Sequence, residues 1–168
     1  MSKKMIVIEE LFAEFDILNL VVNNTKNYTI AHKLAQEGHI FDKLEILKIK
    51  NNNGTTVAHD MAKTGCEFDN KEVLMLQNAQ GVSVAHIMAK NGCLFDDPEI
   101  LKLQNSKKTS VAHIIAKSSY FFNSVEIFKI KDLNDWSVAH TMASNGYSFN
   151  ELDVMKLANK NGLSVAHI

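Results

Sequence analysis

One histidine recurs at a constant interval along this chain, and that interval limits the possible folds more than any other feature. His32, His59, His86, His113, His140 and His167 stand 27 residues apart. Ala precedes every one of them, and Ala35, Ala62, Ala89, Ala116 and Ala143 follow three residues later. Phe41, Phe68, Phe95, Phe122 and Phe149 keep the same register nine residues on. A unit this small cannot bury its own apolar face, so a chain that repeats it must stack copies on one another.

Each unit parses into two short helices. Ser or Thr sits three residues before each His, at Thr29, Thr56, Ser83, Ser110, Ser137 and Ser164. A hydroxyl there accepts the backbone N–H three residues on and opens a helix. Val84, Ala85, Met88 and Ala89 then form a stripe at helical spacing. Gly38, Gly65, Gly92 and Gly146 end this helix by taking a left-handed conformation, with Ser119 in the same place in the fourth unit. Asp42 with Glu45, Asp69 with Glu72, Asp96 with Glu99 and Asn123 with Glu126 have capping-box spacing and predict where the second helix starts; Asn150 with Asp153 is a further version. Pro98 fits a first helical turn. Ile46, Leu47, Ile49 and their equivalents are the buried positions of the second helix. Each helix is expected to run about two turns, too short to persist alone in water. The expected fold is all-α, an α-solenoid of stacked two-helix 27-residue repeats. A polar turn opened by Asn51, Asn78, Asn105, Asp132 or Asn159 closes each unit.

The ends depart from the pattern. Residues 1–28 read as a degenerate N-terminal capping repeat, in which "FDILNLVVNN" from Phe15 echoes "FDKLEILKIKNN" from Phe41. Residues 29–168 read as the array, whose last repeat stops inside its His helix at Ile168. That end is expected to belong to a longer array or to pack on something else, including a second copy.

Composition narrows the function classes. The chain holds 18 basic residues, all Lys, and a formal net charge of -1. Without Arg or a positive field it lacks the usual nucleic-acid surface, so no nucleic-acid partner is expected. No apolar run reaches the roughly 20 residues that span a bilayer, so no membrane association is expected. Lys3 and Lys4 precede a short apolar run that Glu9 and Glu10 interrupt, which predicts a cytoplasmic protein and no signal peptide.

The motif "TIAHKLAQEGH", from Thr29 to His39, resembles the first helix of the ankyrin repeat, with its T-P-L-H-x-A signature followed by Gly and His. Thr29, His32, Ala35, Gly38 and His39 fall on the matching positions, and "EILKL" resembles the opening of the ankyrin second helix. The resemblance runs from Asn27 onward. Val or Ile replaces the Pro, and the period is 27 where the ankyrin repeat has about 33. About four residues are gained between the helices and about ten lost after the second. The lost part would include the projecting hairpin that ankyrin proteins often use for binding. The chain also resembles, less closely, the bacterial leucine-rich repeat variant, another short helical repeat.

The repeated histidines are expected to be structural. Packed helices lie roughly 8–10 Å apart, whereas zinc needs ligands at roughly 2.0–2.3 Å, so two successive histidines cannot share an ion. A His at the third helical position can satisfy one ring nitrogen on its own turn and the other on the next unit. The ankyrin resemblance implies this role for His32, His59, His86, His113 and His140. Cys66 and Cys93 hold one slot in successive units, too far apart for a disulfide, and nothing near them in sequence supplies an orienting acid or an oxyanion site. No cofactor, metal or catalytic residue is assigned. Met61, Met88 and Met142 read as core. Lys48, Lys102, Lys129 and Lys156 read as a solvated stripe.

In a repeat array the constant positions fold and the variable ones recognise. The slot after each His, which includes Asp60, and the slot before each cap, which includes Trp136, both vary. The turn tips vary too, and one of them carries Lys107 and Lys108. Tyr120, Phe121 and Tyr147 add aromatic side chains in the loops between the helices. Trp136, Tyr120, Phe121, Tyr147, Asp60, Lys107 and Lys108 are therefore the candidate protein-binding residues, with Trp136 either an anchor or a cover for the neighbouring turn. The chain reads as a non-enzymatic scaffold for protein–protein interaction. The alternatives are a segment of a larger effector or enzyme, a metal-responsive array using His39, Cys66 and Cys93, and a self-assembling repeat joined through its C-terminal end.

Overall fold

A computed structural model describes residues 18–23 and 28–168. Most of the expected N-terminal capping repeat lies outside these residues. The described residues up to Thr29 include two short strands, β1 (Val21–Asn23) and β2 (Tyr28–Thr29), which pair antiparallel. The helix pairs follow in chain order. They are α1 (Ile30–Gln36) and α2 (Leu44–Leu47), α3 (Val57–Lys63) and α4 (Lys71–Leu74), α5 (Val84–Lys90) and α6 (Pro98–Lys102). Then come α7 (Val111–Lys117) and α8 (Val125–Phe128), α9 (Val138–Ser144) and α10 (Leu152–Met155), with a final 3-10 turn at Val165–His167. The fold is an all-α solenoid of two-helix repeats. Its chain divides into two compact units, Met1–Met88 and Ala89–Ile168.

The first helix of each repeat forms as its sequence predicts. Thr29, Thr56, Ser110 and Ser137 are N-caps whose hydroxyls accept the N–H of the His three residues on. The cap's own N–H donates back to the His ring, so His does here what Glu does in a capping box. Gly38, Gly65, Gly92 and Gly146 end these helices at positive φ, and Ser119 takes φ 59 in their place.

The second helix differs from expectation. It has four or five residues, about one turn. It also starts one residue later than the capping-box spacing implies, after Lys43, Asn70, Asp97, Ser124 and Glu151. Pro98 shows why. Its fixed φ suits the first helical position, which makes Asp97 the cap and moves Glu99 too close for a box. The helix ends early because the chain must become extended: Lys50, Gln77, Gln104, Lys131 and Ala158 each form a β-bridge with the residue six positions on.

Between the bridged residues runs a tight turn that repeats five times. Asn51 shows its wiring. Its side-chain oxygen accepts the N–H groups of Asn53 and Thr55, and its carbonyl accepts that of Gly54. Asn78, Asn105, Asp132 and Asn159 repeat this set. Gly54, Gly81 and Gly162 supply the positive φ, with Lys108 (φ 53) and Asp135 (φ 57) in the same slot. The ankyrin-type hairpin is thus shortened to a single bridge and its turn.

Within each unit the first helices of successive repeats pack together, α1 on α3 and α7 on α9. Ala31, Ala58, Ala112 and Ala139 lie fully buried, and a larger side chain there would overpack at a cost of about 1–3 kcal/mol. Met61, Met88 and Met142 are core, as are Ile46, Leu47, Val73, Leu74, Ile100, Leu101, Ile127, Phe128 and Val154.

Candidate interaction surface

Four of the buried histidines each bond a carbonyl of the following repeat. His32, His59, His86, His113 and His140 are 0–2% exposed. Each Nδ1 lies 2.6–2.8 Å from the hydroxyl of its own cap. Nε2 of His32 lies 3.0 Å from the Thr55 carbonyl, and Nε2 of His59 lies 2.9 Å from that of Val82. Nε2 of His113 and His140 reach Trp136 and Leu163 at 3.0 and 3.1 Å. A carbonyl only accepts, so Nε2 carries the proton. Nδ1 then accepts from the cap's hydroxyl and N–H. Burial pushes these four histidines below their ordinary pKa, opposed in part by the bond to the carbonyl. Neutral, saturated rings suit packing and leave no nitrogen for a metal. Among the described residues, no three His, Cys, Asp or Glu side chains gather to hold an ion, and no helix is long and apolar enough to cross a membrane. Burial also raises the Cys66 thiol, the reverse of what an activated nucleophile needs.

Two of the proposed recognition residues are tied into the fold. Asp60 is 1% exposed, with its carboxylate 2.8 Å from Lys63 Nζ and accepting from Gln36 Nε2 at 3.2 Å. The slot after His is exposed at Lys33 and buried at Asp60 and Thr141, so Asp60 presents no surface. Trp136 is half-buried. Its indole N–H donates to Thr141 Oγ1 at 3.0 Å, and its ring lies 4.9 Å from that of His140. It packs on the helix that it precedes, α9.

The others reach solvent. Lys107 and Lys108 stand exposed on the turn between α6 and α7. Tyr120 and Phe121 are 39% and 43% exposed on the loop between α7 and α8. Phe121 packs against Tyr147 of the next loop at 5.0 Å, and Tyr147 against Phe149 at 4.7 Å. Tyr120 rests on Phe122 at 5.3 Å. Tyr147 and Phe149 also wall a cavity of about 400 Å³ together with Ala143, Met155 and Val165. An aromatic surface is therefore mounted on buried Phe residues of the second unit.

Three further apolar residues are exposed on the loops and second helices of the same unit, and the sequence reading missed them: Leu94, Val125 and Leu152. Leu94 holds the Phe121 slot one repeat earlier, and Val125 and Leu152 share one slot in successive repeats. Aligning the repeats on their loops would have shown this column. The same alignment would have explained the Lys stripe. Lys48 bonds Glu72, and Lys102 bonds Glu126 at 2.8 Å, each reaching into the following repeat. That bond to Lys102 holds the Glu126 carboxyl below the usual carboxylate range.

No protein-family model and no curated protein matches this chain. Solved structures do, 84 chains among them. One is the ankyrin repeat domain of Bcl-3, described as a unique member of the IkappaB protein family. The likeness covers 96% of this chain and 85% of that one, with a TM-score of 0.52 and 11% sequence identity. At that identity the likeness is one of fold. The Ser/Thr–His capping pairs, the Ala-lined helix contacts and the bridged turns together make this chain similar to an ankyrin-repeat solenoid with a shortened unit.

Proposed function

We propose that the chain is a non-catalytic scaffold that binds a protein partner through side chains exposed on its repeat loops. The observation that carries this reading is the Tyr120–Phe121–Tyr147 surface. Exposed aromatic rings cost free energy in water, and grouped rings on a rigid frame are typical interface anchors. The caps, turns and buried histidines use their polar groups within the frame, which leaves these rings as the aromatic side chains open to a partner. Lys107 and Lys108 form a separate exposed element at the turn tips.

A pull-down from native lysate tests it, comparing the wild-type chain with a Phe121→Ala/Tyr147→Ala variant of matched melting temperature. The wild type is expected to retain a protein that the variant loses. Equal capture by both would move recognition to the turn tips around Lys107 and Lys108. An absence of any retained protein, with crosslinking included, would contradict the scaffold reading.

A further inference from the structure

The exposed apolar residues of the second unit sit in an unusual electrostatic setting. Residues 91–99, 118–126 and 145–153 cover its inter-helix loops and the first turns of α6, α8 and α10. These segments contain Asp96, Asp97, Glu99, Glu126, Glu151 and Asp153, and no Lys. Every Lys of residues 89–168 lies elsewhere, on the first helices, the later part of the second helices and the turns. The loops of the first unit are mixed, with Lys43 and Lys71 among their acids. In the second unit apolar and acidic residues alternate: Val125 precedes Glu126, and Leu152 stands between Glu151 and Asp153. Asp97 is occupied as a helix cap and Glu126 by Lys102. Glu151 makes no side-chain capping bond although it holds the cap position.

From this we infer that the Tyr120–Phe121–Tyr147 surface, extended by Leu94, Val125 and Leu152, docks a basic segment of a partner protein whose Lys or Arg residues alternate with apolar ones. This deepens the scaffold reading and rests on it. The apolar residues of the segment cover the exposed rings and aliphatic side chains. Its cations lie over the faces of Phe121 and Tyr147, where the ring quadrupole attracts positive charge, and reach the carboxylates of Glu151 and Asp153. An acidic segment would meet like charge at Glu151 and Asp153. The cavity beside Tyr147 accepts one apolar anchor.

The test is a fluorescence-anisotropy titration of the whole chain with a short synthetic peptide alternating Arg and Leu around a central Phe. A second peptide carrying Glu in place of Arg is the control. The basic peptide is expected to bind at least about tenfold more tightly than the acidic one. Its affinity should fall about tenfold between about 0.02 M and about 0.3 M salt. It should fall by a similar factor in Phe121→Ala/Tyr147→Ala and in Glu151→Lys/Asp153→Lys. Glu67→Lys/Asp69→Lys, on a loop of the first unit, should leave it unchanged. Tyr147 is half-buried and the other positions are exposed, and a thermal melt confirms that each variant is folded. Equal affinity for the two peptides, or wild-type affinity in both second-unit variants, overturns the inference. If the Phe121→Ala/Tyr147→Ala variant still loses its lysate partner in that case, the scaffold reading survives and the basic partner alone is rejected.

Discussion

His113 Nε2–H donates to the carbonyl of Trp136 across 3.0 Å, joining one repeat to the next without using the Trp side chain. That carbonyl also accepts the N–H of Asp132, so the ring supplies its second donor, the one that comes from the preceding repeat. His113→Ala removes the donor, leaves the Ser110 hydroxyl short of its acceptor and opens a void. The expected loss is on the order of 2–4 kcal/mol in urea unfolding. His167 makes the same bond to its own cap but is exposed, so His167→Ala should cost under about 0.5 kcal/mol. Equal losses at the two sites would refute the bridging role of Nε2.

Stability should depend on pH through the same rings. His32, His59, His113 and His140 have folded pKa values lowered by burial, while in the unfolded chain they return to about 6.5. Above about pH 6.5 both states are neutral and the full stability is present. Below it the unfolded chain binds protons that the folded chain refuses, so stability falls until the lowered pKa values are passed. Asp60 and Lys63 act with opposite sign on His32 and His59, as do Asp132 and Lys117 on His113 and Asp132 and Lys131 on His140, so burial decides the direction. The urea midpoint should drop steadily from about pH 7 to about pH 5. A flat profile over that interval would sink the account.

The left-handed turn slot gives two substitutions of opposite sign. Lys108 holds φ 53 where other repeats place Gly. Lys108→Gly should raise stability by about 0.5–1 kcal/mol, since relief of the left-handed strain exceeds the added chain entropy. Gly54→Ala should lower it by about 2 kcal/mol. A Cβ there would lie 2.9 Å from the Ala79 backbone nitrogen, at φ +67. Thermal melts of both variants check the pair.

Trp136→Phe keeps a ring against His140 and removes the N–H that Thr141 accepts. A loss of about 1 kcal/mol is expected, with partner binding retained. Lost binding at unchanged stability would return Trp136 to the role of anchor.

The repeat, its first helix and the use of both histidine nitrogens were legible because local rules fix them: a hydroxyl cap, a helical stripe and a residue that permits positive φ. The second helix was only half legible. Its length is set by a bridge between residues six apart that lie beyond it, such as Lys50 and Thr56, and no signal within "EILKI" reports that. Variation in a slot also misled. The bonds that the frame repeats at residue 136 come from its backbone N–H and carbonyl, so the side chain is free to vary, and Asp60 varies while its side chain is buried. Exposure is a property of packed neighbours, which a single repeat does not contain. The Lys48–Glu72 and Lys102–Glu126 pairs needed the same neighbour.

In each bridged turn the bonds come from the opening Asn or Asp, from the backbone and, in two turns, from the Gln side chain just before, Gln77 or Gln104. The two residues that follow the opening Asn or Asp, Asn52 and Asn53, Ala79 and Gln80, Ser106 and Lys107, Leu133 and Asn134, Lys160 and Asn161, are all exposed. Their side chains are spectators to folding. Substitution at these tips can change what the surface meets while the melting temperature stays where it was, so such a chain can acquire a new address without being rebuilt.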